Sequence, residues 1–336
     1  MKVLVYFQPS RKLDNFEGTR MRKTIKGALE VAKVQYTSNL YDDYDVAHFM
    51  SPDDEFRMNI AIERDVPCIV SALFGEDDPT VSFLNYKRSK DGKRIVTLKS
   101  KALRMLNKAS LVIVPNESAK EFLINNGVET PIEVCLPGVN LARFNFSRED
   151  EKELFYRYFR EDKNKKIVLA VGEYENLSGI HTFIDAAKKR DDAVFYYVGP
   201  ESKLVNKAKL KKVLKEAPKN IRFKHILPDD IYRSLLLNAD VFMLPGYNLA
   251  GVISIEEAMA AKCQIIVRKS SIFPGFLKNE STAYIAEFSE TITSLCLDYL
   301  NEEIEPTIEE AYKQVSENSL KQFGDKLINI YKSIIK

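Results

Sequence analysis

Nine basic side chains fall between Phe83 and Ala109: Lys87, Arg88, Lys90, Lys93, Arg94, Lys99, Lys101, Arg104 and Lys108, set against the single acid Asp91. Such a concentration of cations attracts anions, and close to an anionic bilayer each is worth about 1 kcal/mol. Val96, Leu98, Ala102, Leu103, Met105 and Leu106 are interleaved with the later cations, which predicts an amphipathic helix there. Two readings follow. The helix either lies on anionic lipid with its long side chains snorkelling, or covers a sheet of its own domain with its charges in solvent. Nucleic acid is not the expected partner, because no recognition module accompanies the patch. Metal chemistry is not expected either. His48, His181 and His225 stand at no metal-ligand spacing from one another or from Cys68, Cys135, Cys263 and Cys296. Those cysteines are far apart and three lie in apolar strand-like runs, which predicts neither a disulfide framework nor a zinc site.

The elements that must position any such chemistry are legible as a pattern. Short β-branched runs bounded by turn residues alternate with stretches of helical period, the signature of strand-helix-strand units in parallel sheets. The pattern occurs twice. Strands are predicted at residues 2–7, 46–50, 67–73, 111–115 and 132–136, and again at 166–172, 193–199, 221–227, 240–245 and 263–269. A last strand-like segment lies near 283–288, and the chain beyond it reads as helical. A chain of 336 residues exceeds the size of one hydrophobic core, so two domains are expected, 1–150 and 151–317, with a helix over 318–336 joining the first. The charged stretch from Asn145 to Lys166 reads as their connection. Ligands of open α/β sheets bind beyond the carboxyl ends of the strands, which places the expected site in a cleft between the two domains.

With 45% hydrophobic and 29% charged residues and a net charge of +2, the composition is that of an ordinary globular protein and names no partner. No apolar run reaches the roughly 18 residues that span a bilayer. The opening Met1 to Phe7 leads into polar Gln8-Pro9-Ser10, unlike a signal-peptide core, so a cytoplasmic location is expected.

The segment from Asp240 to Tyr247, followed by Gly251-Val-Ile-Ser-Ile-Glu-Glu-Ala-Met-Ala260 and Cys263 to Arg268, resembles the donor-binding block of retaining glycosyltransferases of group 1. With residues 1–7, Asp43 to His48, Pro137-Gly-Val-Asn140 and Val171-Gly172, nearly the whole chain is similar to the short Gram-positive enzymes that glycosylate diacylglycerol or monoglycosyl-diacylglycerol. The resemblance implies the GT-B architecture: two Rossmann-like, doubly wound parallel-sheet domains facing an interdomain cleft. The first domain would face acceptor and membrane, and the second would bind a nucleotide sugar. It assigns Glu257 to the nucleotide ribose, whose two hydroxyls a carboxylate near a helix start can accept while flanking amides face the diphosphate. The remaining donor-site candidates are Gly251, Val252, Ile253, Gly172, Asn248 and Arg268, and those of the turn after the first strand are Gly18, Thr19 and Arg20. No cofactor is implied beyond a UDP-sugar as donor substrate. The resemblance also favours the membrane reading of the basic stretch, at the inner face of the plasma membrane.

The sequence departs from the family's pattern at four places. Leu249 stands where the family has its hexose-binding glutamate, with Asn248 beside it. Glu173, Leu177 and Ser178 occupy positions that are basic in the family and neutralise the diphosphate. Ser71 to Asp78 keeps an acidic stretch but has no His-x-His, and Glu17-Gly18-Thr19-Arg20 keeps one glycine of a glycine-rich turn. Two functions therefore compete. One is transfer of a hexose from a UDP-sugar to a membrane glycolipid with retention, and the other is a catalytically degenerate homologue acting as partner or regulator of an active glycosyltransferase.

Overall fold

The computed structural model describes residues 1–7, 16–79, 81–89, 91–144, 149–172, 174, 179–199, 207–246 and 251–335. They form two compact units, each built on a six-stranded sheet in which every pairing is parallel.

The first unit comprises Met1–Gly138, Ser270–Phe276 and Leu320–Lys336. Its elements are β1 (Lys2–Tyr6), α1 (Phe16–Val31), β2 (Gln35–Thr37), β3 (Val46–Phe49), α2 (Glu55–Ile62), β4 (Cys68–Ser71), β5 (Leu84–Arg88), β6 (Arg94–Leu98), α3 (Ser100–Lys108), β7 (Leu111–Val114), α4 (Glu117–Asn125) and β8 (Ile132–Val134). The sheet order is β2-β1-β3-β4-β7-β8. β3, β4 and β7 are buried along their whole length, which is why they read as unbroken apolar runs: helices cover both faces of a parallel sheet. Side-chain caps fix two of those helices. The Asn116 Oδ1 accepts the Ala119 N–H at 2.8 Å at the head of α4, and Asp54 accepts the Arg57 N–H at the head of α2.

The second unit comprises Val139–Lys269 and Leu277–Ser319. After a 3-10 turn at Leu141–Phe144 come α5 (Glu149–Phe159), β9 (Ile167–Val171), α6 (Ile180–Lys188), β10 (Val194–Val198), α7 (Lys207–Glu216), β11 (Ile221–Lys224), α8 (Asp229–Asn238), β12 (Val241–Leu244), α9 (Gly251–Ala260), β13 (Gln264–Arg268), β14 (Tyr284–Ala286), α10 (Ser289–Leu300) and α11 (Ile308–Ser316). The order β11-β10-β9-β12-β13-β14 is that of the doubly wound nucleotide-binding sheet, with its switch point between β9 and β12. Beyond α11 the chain returns to the first unit as α12 (Leu320–Ile334). Its stripe of Leu320, Phe323, Leu327 and Tyr331 packs on α1 and the sheet, and Gly324 lets the two helices touch: a Cβ there would stand 2.6 Å from the Ala28 carbonyl oxygen.

Three features differ from the sequence expectation. The second unit begins at Val139 and not near residue 150, because the 3-10 turn at Leu141–Phe144 packs on α8 and α9, and α5 follows it onto α8. There the Phe155 N–H donates to Ser234 Oγ at 2.8 Å and the Phe155 ring meets Tyr196 edge-on. β2 joins the first sheet through three residues, only one of them buried. Val96 and Leu98 lie in an antiparallel hairpin, β5–β6, and not in a helix; α3 starts at Ser100.

Candidate functional site

The carboxyl ends of β9, β10 and β12 are closed by backbone packed so tightly that side chains are excluded. A Cβ on Gly199 would lie 1.8 Å from the Gly172 carbonyl oxygen, and one on Gly179 would lie 2.5 Å from the Pro245 carbonyl carbon. Gly179 also has φ +75°, a left-handed conformation that a side chain disfavours, and it opens α6. The Gly172 N–H donates to the Val198 carbonyl at 3.0 Å. Beside this edge α9 begins at Gly251, so the amides of Gly251, Val252 and Ile253 belong to a first helical turn, which has no acceptors within its own helix. The Val252 and Ile253 side chains are buried, leaving the backbone as their chemistry. Asn248 and Leu249 lie outside the described residues, as do Glu173, Leu177 and Ser178.

α9 carries two adjacent acids inside the unit. Glu256 is 1% exposed and accepts the Asn318 Nδ2–H at 2.6 Å, while Glu257 is 6% exposed. Buried carboxylates demand compensation, and Glu257 finds an ionic partner in Arg143, whose Nη1 stands 3.8 Å from its Oε1. The other guanidinium nitrogen, Nη2, donates to Asp229 Oδ2 at 2.9 Å. Arg143 lies in the 3-10 turn, which packs against both α8 and α9. Sequence reasoning missed Arg143, Asp229 and Asn318. The available signal was Arg143 itself, a cation three residues beyond Pro137-Gly-Val-Asn140.

Arg268 is engaged on every side. Its Nε donates to the Pro245 carbonyl at 2.7 Å, Nη1 to the Glu287 carbonyl at 2.5 Å and Nη2 to Ser289 Oγ at 2.7 Å. That geometry ties the end of β12 to the segment that joins β14 to α10.

In the first unit Gly18 and Thr19 lie within α1 and not in a turn, and Arg20 follows them in the same helix, nearly buried. At the end of β4, Ser71 Oγ is 2.8 Å from His48 Nε2, whose Nδ1 is 2.9 Å from the Tyr331 hydroxyl. Burial pushes the His48 pKa down to about 3, so the ring is neutral and gives one hydrogen bond while taking the other. The acidic stretch is largely spent on structure. The Asp77 carboxylate accepts from Ser271 Oγ at 2.6 Å, the Ser271 N–H at 3.1 Å and Ser270 Oγ at 3.1 Å, and burial holds the Glu76 carboxyl above its ordinary range.

The basic stretch divides in two. α3 turns Ala102, Met105 and Leu106 into the core of its unit, so the helix covers its own domain and does not lay that face on lipid. Arg104 and Lys108 pair with Glu55 of α2 at 3.1 and 2.9 Å, and Lys99 Nζ donates to the Ser82 carbonyl, while Lys101 is exposed. The hairpin is different. Arg88 and Arg94 face each other across its strands, a like-charge pair relieved because Arg94 lies over the Tyr86 ring at 4.5 Å and donates to the Asp77 carbonyl at 2.9 Å. Lys87, Arg88 and Lys93 are left exposed beside an exposed Ile95, and Lys90 lies outside the described residues. Among the described residues no helix is long and apolar enough to cross a membrane.

The family model described as Glycosyl transferases group 1 matches residues 151–322. Over its whole length the chain is similar to a processive diacylglycerol alpha-glucosyltransferase of Acholeplasma laidlawii, 26% identical over 346 residues, covering 100% of this chain and 99% of the relative. It is similar to an alpha-galactosylglucosyldiacylglycerol synthase of Streptococcus pneumoniae, 24% identical over 225 residues, covering 65% of this chain and 58% of the relative. The structure superposes on that of Anabaena HepE in complex with UDP and glucose with a TM-score of 0.73 at 14% identity, covering 99% of this chain and 100% of the other. At that identity the likeness shows the fold alone, which is GT-B.

Proposed function

The chain belongs to the glycosyl transferases group 1 family, and on that premise we propose that it moves a hexose from a UDP-sugar to a lipid-linked acceptor at a membrane surface, with retention of configuration. The observation that carries this reading is Glu257: a carboxylate nearly withdrawn from water, in the second turn of α9, with a cation beside it. The two hydroxyls of a ribose are donors that a carboxylate so placed can accept as a charge-assisted pair. The first-turn amides of α9 and α6 favour negative charge, which suits a departing diphosphate. With retention, the acceptor hydroxyl attacks from the face the diphosphate leaves and passes its proton to that leaving group. The full-length similarity to a diacylglycerol glucosyltransferase supports the choice of a glycolipid acceptor. The exposed cations of the β5–β6 hairpin support docking on an anionic inner leaflet.

Calorimetric titration with UDP and UDP-hexoses tests the reading. Binding that Glu257→Ala abolishes is the expected result; no heat at millimolar ligand would sink it. A second reading is favoured by Glu173, Leu177, Ser178 and Leu249, which remove family cations and the hexose-binding acid: the chain then acts as a non-enzymatic partner of an active glycosyltransferase. It predicts a protein that binds no UDP-sugar and co-purifies with such an enzyme.

A further inference from the structure

A carboxylate that binds sugar hydroxyls faces a conflict when a guanidinium stands beside it. The cation keeps the buried group ionised, yet a close fork of two N–H···O bonds would take the lone pairs that the ligand needs. Here Arg143 meets Glu257 at 3.8 Å, which is ion-pair distance but too long for a hydrogen bond, while its real hydrogen bond, at 2.9 Å, goes to Asp229. The two acids differ in setting. Asp229 is the first residue of α8 and more than half exposed, whereas Glu257 is buried on α9. The 3-10 turn carrying Arg143 rests on both helices.

We propose that Arg143 is a positioning residue for the nucleotide-binding carboxylate, and that Asp229 holds it at stand-off. This rests on the reading of Glu257 as the ribose-binding acid. Arg143 supplies charge to Glu257 without occupying it, because Asp229 anchors the far side of the guanidinium. When Asp229 loses its charge, Arg143 closes on Glu257 and competes with the ribose. When Arg143 loses its charge, Glu257 loses the cation beside it while the acid Glu256 stays adjacent.

The arrangement predicts an asymmetric pair of effects, read by UDP calorimetry and urea unfolding on the full chain. Asp229→Asn weakens UDP binding about tenfold while the urea midpoint stays level or rises, because the buried acid gains a closer partner. Arg143→Gln weakens UDP binding at least as much and lowers the midpoint. Arg143→Lys keeps the charge but lacks the fork that spans both acids, so it restores the midpoint more than it restores affinity. UDP affinity unchanged in Asp229→Asn overturns the stand-off. If Arg143→Gln fails to fold, Asp229→Asn and Arg143→Lys still decide the matter. A wild-type protein that binds no UDP fails the Glu257 reading itself. A wild type that binds UDP and loses it in Glu257→Ala, with both Arg143 variants binding normally, fails only the positioning claim.

Discussion

In the first unit one buried polar cluster is neutral and closed on itself: the His48 ring is satisfied by Ser71 and Tyr331, and the three tie β3, β4 and α12 together. In the second unit the cluster is charged, with two adjacent acids on α9 served by Asn318 and, at longer range, by Arg143. A closed neutral network repays its burial within the fold. A charged one costs stability that packing alone would not require, and on the proposed reading it is kept for a ligand. The difference teaches which interior polar groups to test for chemistry: charged ones held inside a unit, ahead of neutral ones closed into a network.

The sharpest way to break the comparison is His48→Ala. It opens a cavity and strands two hydroxyls, and is expected to cost about 2–4 kcal/mol in urea unfolding without altering UDP affinity. A change in affinity would end the claim that this cluster is structural only. The pH dependence of stability comes next. Below the ordinary histidine value of 6.5 the unfolded chain takes up a proton that the folded ring refuses until about pH 3. Stability from this group is therefore complete above pH 6.5 and falls by about 1.4 kcal/mol per unit beneath it, or about 2 kcal/mol between pH 7 and pH 5. His48→Gln should remove that slope. The smallest effect on stability belongs to the surface: Lys87→Glu, Arg88→Glu and Lys93→Glu together should shift it by less than about 0.5 kcal/mol. The same triple variant should no longer float with anionic vesicles, and equal flotation of variant and wild type would move the membrane contact away from the hairpin.

The central strands of both sheets were legible because burial on two faces writes itself as short β-branched runs between turn residues. β2 was not, since Gln35-Tyr36-Thr37 buries one residue and alternates nothing. The hairpin was hidden by its own charges, although Asp91-Gly92 is a turn signal and Gly92 adopts φ +81°. Interleaved Val96, Leu98 and Ala102 mimic helical period when a strand passes directly into a helix. At the candidate site Glu257 was legible through a local motif. Arg143 and Asp229 were not, because their meeting depends on a 3-10 turn and the head of α8 arriving at the same flank of α9.

The return of α12 to the first unit inverts the order in which the protein can mature on the ribosome. Residues 139–269 and 277–319 can complete their own core as soon as they emerge. The earlier-made portion must wait with α1 and its sheet lacking Leu320, Phe323, Leu327 and Tyr331, an apolar furrow open to chaperones or to wrong partners until those side chains arrive.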